Sequence, residues 1–135
     1  MRKQLGLSVL LAAVVLLSSA CNRQPSGLKQ IQQQRSGDFT VALLNDTGIL
    51  KQHSDHLRLE FRNASTNELV SVNNLKIQAT MIMVGMGPMF GTLSSPKPTA
   101  PGQYDLDADV GMAGQWNLIV TFDPNGRVQF TPRAQ

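Results

Sequence analysis

The sequence is short of the residues on which many functions depend. It has one cysteine in 135 residues, Cys21, which excludes an intrachain disulfide and any thiolate cluster for zinc or iron–sulfur. It has two histidines, one tryptophan and one tyrosine, and 5% aromatic residues. No G-x-S-x-G elbow, H-E-x-x-H pair, P-loop or G-x-G-x-x-G fingerprint occurs, so the expectation is a protein that is not an enzyme and has no small-molecule substrate. No segment carries a sustained helical period. The only long apolar run, Leu5 to Leu17, is too short for a confident membrane span.

That run has a meaning of its own. Arg2 and Lys3 precede it, and Ser18-Ser19-Ala20 lead from it to Cys21. Cations, a short apolar stretch and small residues form a secretory signal. A cysteine directly after the small residues is where a bacterial lipoprotein is acylated. Ser18 and Ala20 also satisfy the small-x-small rule of ordinary signal peptidase. Three readings follow: a lipoprotein with Cys21 as lipidation site, a free periplasmic protein, or an uncleaved anchor. The first accounts for a lone cysteine at that position. Cleavage before Cys21 removes Arg2 and Lys3 and leaves ten basic residues against nine acidic ones, so the net charge falls from +3 to +1. No basic patch remains to argue for nucleic acid. The expected location is the periplasmic side of the cell envelope, attached to the membrane by lipid.

Three segments are expected: residues 1–20 as signal, 21–37 as a polar tether, and 38–133 as one domain. The tether reading rests on a polar, glutamine-rich composition with little periodicity. From Asp38 the period is two. Phe39, Val41 and Leu43 form one row, and Leu57, Leu59 and Phe61 form the cleanest half-buried strand. Residues 68–72 read as a short strand, and Leu75, Ile77, Ala79, Met81 and Met83 as one face of a long one. Tyr104, Leu106, Ala108 and Val110 alternate with Asp105, Asp107 and Asp109, the wet face of a strand. Trp116, Leu118, Val120 and Phe122 make a further inward row, and Val128 and Phe130 close the last strand. The pattern predicts an all-β, immunoglobulin-like antiparallel β-sandwich of about seven strands, with Trp116 in the core and a barrel as the alternative topology. Gly and Pro recur through 84–102, which predicts a long irregular connection.

Apart from the initiator, every methionine lies between positions 81 and 112, and four fall within nine residues: Met81, Met83, Met86 and Met89. Met112 follows Gly111 at another strand end. Thioether sulfur is soft and uncharged, suits Cu(I), and stays a ligand where free thiols oxidise. Met83, Met86, Met89 and Met112 are the candidate metal ligands. The competing reading is that methionine fills core gaps or decorates an adaptable interface, and for Met81 and Met83, in an alternating apolar row, core packing is favoured. His53 and His56 sit at a spacing awkward for a metal pair on a strand and read as solvated surface residues.

Met81-x-Met83-x-x-Met86-Gly87-Pro88-Met89, then Pro101-Gly102-x-Tyr104, then Gly111-Met112-Ala113-Gly114-x-Trp116-x-Leu118-x-Val120 resembles the YtkA-like/FixH-like domain over residues 38–131. The resemblance implies a small immunoglobulin-like sandwich, secreted or anchored, with a copper-related periplasmic role beside heavy-metal efflux or cytochrome oxidase assembly systems. The histidine often found among metal-binding methionines is missing from the cluster, which favours Cu(I) over Cu(II). The alternative is a non-metal module in which the 84–102 segment contacts an envelope protein partner.

Overall fold

The computed structural model describes residues 27–135; the signal segment, Cys21 and the first part of the expected tether lie outside them. Twelve strands are described, in chain order: β1 (Lys29–Ser36), β2 (Phe39–Asn45), β3 (His53–Asn63), β4 (Lys76–Met81), β5 (Met89–Phe90), β6 (Thr92–Leu93), β7 (Lys97–Ala100), β8 (Gln103–Val110), β9 (Gly114–Gln115), β10 (Asn117–Phe122), β11 (Gly126–Phe130) and β12 (Arg133–Ala134). No helix occurs among the described residues. One sheet runs β1-β2-β3-β8-β6, with β7 also paired to β8; the second runs β11-β10-β4-β5; β9 and β12 form a small ribbon. Every pairing is antiparallel. The fold is an antiparallel β-sandwich.

Period-two alternation builds its interior. Val41 and Leu43 stand opposite Phe61 and Leu59 across the β2–β3 ladder, and Leu57 and Leu59 opposite Leu106 and Tyr104 across β3–β8. These side chains meet Ala79, Leu118, Val120, Phe122, Val128 and Phe130 of the second sheet in one buried cluster. Full burial of a Leu or Phe contributes roughly 1.5–3 kcal/mol, so this double row supplies the stability that no disulfide provides. At one end of the sandwich Phe61 packs edge-on against Tyr104 and Phe122, with centroids 5.5 and 5.0 Å away, and Phe39 against Phe122 at 5.4 Å. At the other end Trp116, 1% exposed, is the largest buried side chain.

Several segments differ from expectation, each for a visible reason. Residues 29–36, expected as tether, form β1, which pairs with β2 along its length and has a register shift between Gln30 and Gln32. Gln30, Gln33 and Gln34 face water while Ile31 packs on the core, so an edge strand passes for a polar linker. Side chains also tie β1 to the other sheet: Gln32 Oε1 accepts from Thr131 N at 2.8 Å and Ser36 Oγ from Arg127 N at 3.1 Å. Residues 68–72 form only a bridge from Leu69 to Arg62. They are held by Tyr104, whose hydroxyl accepts from Val72 N at 2.9 Å and donates to Val72 O at 3.0 Å. The long strand expected through Met83 stops at Met81. The stretch 84–102 is not wholly irregular, because β5, β6 and β7 lie within it. Gly91 carries the chain from the second sheet (β5) to the first (β6). A Cβ there would stand 3.0 Å from Ala79 Cβ and 3.3 Å from Val110 Cγ1, so the crossing runs too close to the core for a side chain.

Gly102 is hemmed in by backbone in the aromatic half. Its φ is +75°, and a Cβ would meet Val70 N at 2.8 Å and Phe61 O at 2.9 Å. Gly102→Ala is expected to destabilise the domain by about 2–4 kcal/mol, read as a lower denaturant midpoint at unchanged slope. Gly37→Ala, with φ +57° but open space around it, is expected to cost only about 1 kcal/mol.

Candidate functional site

The methionines gather at the Trp116 end. The β4–β5 register sets Met81 directly opposite Met89, and the hairpin between them turns where Met86 N donates to Met83 O at 3.2 Å. Gly85, at φ +78°, supplies the left-handed backbone that this turn needs. Met112 belongs to the neighbouring β8–β9 loop. Its carbonyl accepts from Trp116 Nε1 at 2.9 Å, so the buried indole anchors the loop by its one polar atom. The two loops meet through Met81, because a Cβ on Gly114 would stand 3.1 Å from Met81 Cε.

Burial divides the five into distinct roles. Met81 is 5% exposed and part of the core. Met83 and Met89 are half-buried against that core, while Met86 is 63% exposed and Met112 37%. The reading of Met81 as core thus holds. Met83 departs from its expected place on a strand face and sits at the start of the hairpin loop.

The central ladder adds a residue that sequence separation hides. His53 stands opposite Val110, two positions before Met112, and Gln52 Nε2 donates to Gly111 O at 3.2 Å across 59 residues of sequence. His53 has a φ of 66° and is exposed. An imidazole therefore lies at the methionine end after all, though nothing in the local pattern of 51–56 announces it. The supporting loop, residues 46–52, is pinned by a buried polar pair. Asp55 Oδ2 accepts from Asn45 Nδ2 at 2.9 Å and from Lys51 N at 3.0 Å, and Asn45 Oδ1 accepts from Gly48 N at 2.6 Å. Asp55 Oδ1 has no hydrogen bond; its nearest cation is Lys51 Nζ, 3.8 Å away.

His56 is one strand position out of phase with His53 and lies on the outer face of the first sheet. Two of the three aspartates there, Asp105 and Asp107, are paired. Arg58 holds Asp105 through two hydrogen bonds, 2.7 and 3.2 Å, and His56 Nδ1 lies 2.9 Å from Asp107 Oδ1. His56 is solvated, as expected, but ion-paired. Among the described residues no group of three His, Cys, Asp or Glu side chains is arranged to hold a metal ion. The donors gathered at one end are thioethers.

The fold and site thus define an all-β sandwich with a methionine-rich end. A family model described as YtkA-like matches residues 33–121, well over half the chain, and the chain belongs to that family. The match begins inside β1, in keeping with its place in the sheet. A search of curated proteins returns no match.

The outer-face pairs set a pH dependence. Asp107, with Asp105 behind it, raises the His56 pKa above its ordinary 6.5; Arg58, then His56, lowers that of Asp105. A raised histidine contributes stability fully below its unfolded value and loses it as pH rises through the folded one. Asp105 contributes above its unfolded value and loses it as pH falls. Denaturant midpoints are therefore expected to decline as pH rises above about 6.5, and His56→Gln to flatten that decline. An unchanged slope in the variant would assign it to other groups.

Proposed function

We propose that this protein binds Cu(I) at its methionine-rich end and holds it or hands it on, without catalysing a reaction, as a lipid-anchored protein on the periplasmic side of a bacterial envelope. Met83, Met86, Met89 and Met112 are the proposed ligands, and Cys21 the lipid attachment point. The observation that carries this reading is the convergence of two separate loops on one end of the sandwich, the hairpin bringing exposed Met86 beside half-buried Met83 and Met89, and the other loop bringing Met112. Soft, uncharged donors suit Cu(I). The gradient from half-buried Met83 and Met89 to exposed Met86 and Met112 suits an ion that must enter and leave. The FixH-like part of the resemblance supports a place beside oxidase assembly or metal efflux.

A second reading has its own support. Ile82, Val84 and Phe90 are exposed on the same hairpin, and a metal site has no use for them. They favour a contact surface, as in an interaction module of an envelope complex.

Anaerobic titration with Cu(I) against a chromophoric competitor tests the first reading. One equivalent is expected to bind, and Met86→Leu with Met89→Leu is expected to weaken binding at least about tenfold, since thioether is replaced by hydrocarbon of similar volume. No detectable binding, or binding indifferent to the double substitution, would remove the copper reading and leave the contact surface. His53→Ala in the same titration reports whether the imidazole joins the thioethers.

A further inference from the structure

We infer that the methionine-rich end is also a membrane-docking face, which seats the hairpin tip in the lipid interface; this rests on Cys21 being the lipid attachment point. All six large apolar side chains exposed among the described residues are Ile49, Ile82, Val84, Met86, Phe90 and Met112. Each lies at one end of the sandwich. Ile49 is in the β2–β3 loop, Met112 follows β8, and the other four are on or beside the β4–β5 hairpin. The opposite end, with its aromatic cluster and the 64–67 turn, has none.

The chain enters at that same end. Lys29, the first residue of β1, pairs with Asn45, the last of β2, and a Cβ on Gly48 would touch Lys29 Cβ at 3.2 Å. Only seven residues of chain separate Cys21 from Lys29, a reach of at most roughly 28 Å when fully extended. The strands are about as long, since β3 has eleven residues and a strand rises roughly 3.3 Å per residue. An acyl group at Cys21 therefore holds the apolar end toward the bilayer and the aromatic end away from it.

The short tether selects lipid over protein as occupant, and the tip has no charge to oppose it. From Ile77 through Pro96 the sequence has no charged residue, and the exposed tip of that segment presents Ile82, Val84, Met86 and Phe90. A tip that enters the headgroup–acyl boundary gains by burying apolar side chains about 5–10 Å deep and carries no charge at its apex; the centre of a protein interface is poor in charge as well, so the short reach from Cys21 is what favours lipid. Of the charges at that end, Asp46 and Lys51 pair at 3.0 Å, while Lys29, Asp109 and Arg133 lie outside the charge-free segment.

The test uses the full chain in phosphatidylcholine vesicles, with plain or with brominated acyl chains. Val84→Trp reports the tip and Ser65→Trp the far end; both positions are exposed, and Trp116 is a buried background common to both. Bromolipid is expected to quench about half or more of the added emission at position 84 and little at position 65. Equal quenching at the two positions, or none at either, overturns the docking and leaves the surface to a protein partner. Intact mass of the same material reads the anchor separately. Unmodified Cys21 with selective quenching at 84 removes the anchor and keeps the docking. Acylated Cys21 with an unquenched Trp at 84 keeps the anchor and overturns the docking.

Discussion

The β3–β8 ladder is the constraint on which everything else rests. Eight residue pairs, from His53 with Val110 to Glu60 with Gln103, fix which side chains enter the core and which remain outside. Because the side-chain period is two, a slip of one residue would send Leu57, Leu59 and Phe61 to water and bury Arg58 and His56. The inward row then forms half the core. The outward row forms the paired charge stripe, in which Arg58 and His56 neutralise Asp105 and Asp107. The end of the ladder delivers Gly111 and Met112 to the hairpin that carries the other methionines. Core, surface electrostatics and candidate site are thus three readings of one register.

The sandwich was legible where burial is one-sided. Leu57-x-Leu59-x-Phe61 and Tyr104-x-Leu106-x-Ala108-x-Val110 face core on one side and solvent on the other, so their alternation is clean. It was illegible where stability comes from something other than apolar rows. β1 holds its place by backbone pairing and by Gln32 and Ser36 reaching the second sheet, and none of this leaves an apolar period. Residues 68–72 read as a strand from their β-favouring side chains, but they make only a short bridge to β3, with Val70 N donating to Phe61 O and Asn63 N to Glu68 O, beside the tyrosine hydroxyl at Val72. In 84–102 the glycines and prolines do mark departures from regular pairing. They mark a change of sheet at Gly91 and an edge strand at β7, where Pro98 faces Tyr104, rather than one unstructured loop.

The candidate site was legible as composition and hidden as geometry. Five methionines within 32 positions are plain in the sequence. Their division into Met81 as core, Met83 and Met89 as half-buried and Met86 and Met112 as exposed depends on where β4 ends and on which loop Trp116 anchors. His53 shows the limit most clearly. In sequence it belongs with His56; in the sheet His56 pairs with Asp107, while His53, opposite Val110, keeps company with the Met112 loop. Sequence proximity is a poor guide in a fold whose neighbours are made by ladders between distant strands.

Methionine is the residue type that would let one end of this domain serve both proposed chemistries. Unmetallated, a thioether side chain is apolar and flexible, close to leucine in volume, and loses little by lying among lipid tails or against Ile82 and Phe90. Its sulfur nonetheless remains available to a soft monovalent ion without any change of protonation. Histidine or cysteine in the same positions would carry a polar or ionisable group into the interface at a desolvation cost. A Cu(I) site that faces a bilayer, where a membrane-embedded donor or acceptor would meet it, is therefore expected to be built from thioethers first. The charge-free run from Ile77 to Pro96 is what such a proposed site would require.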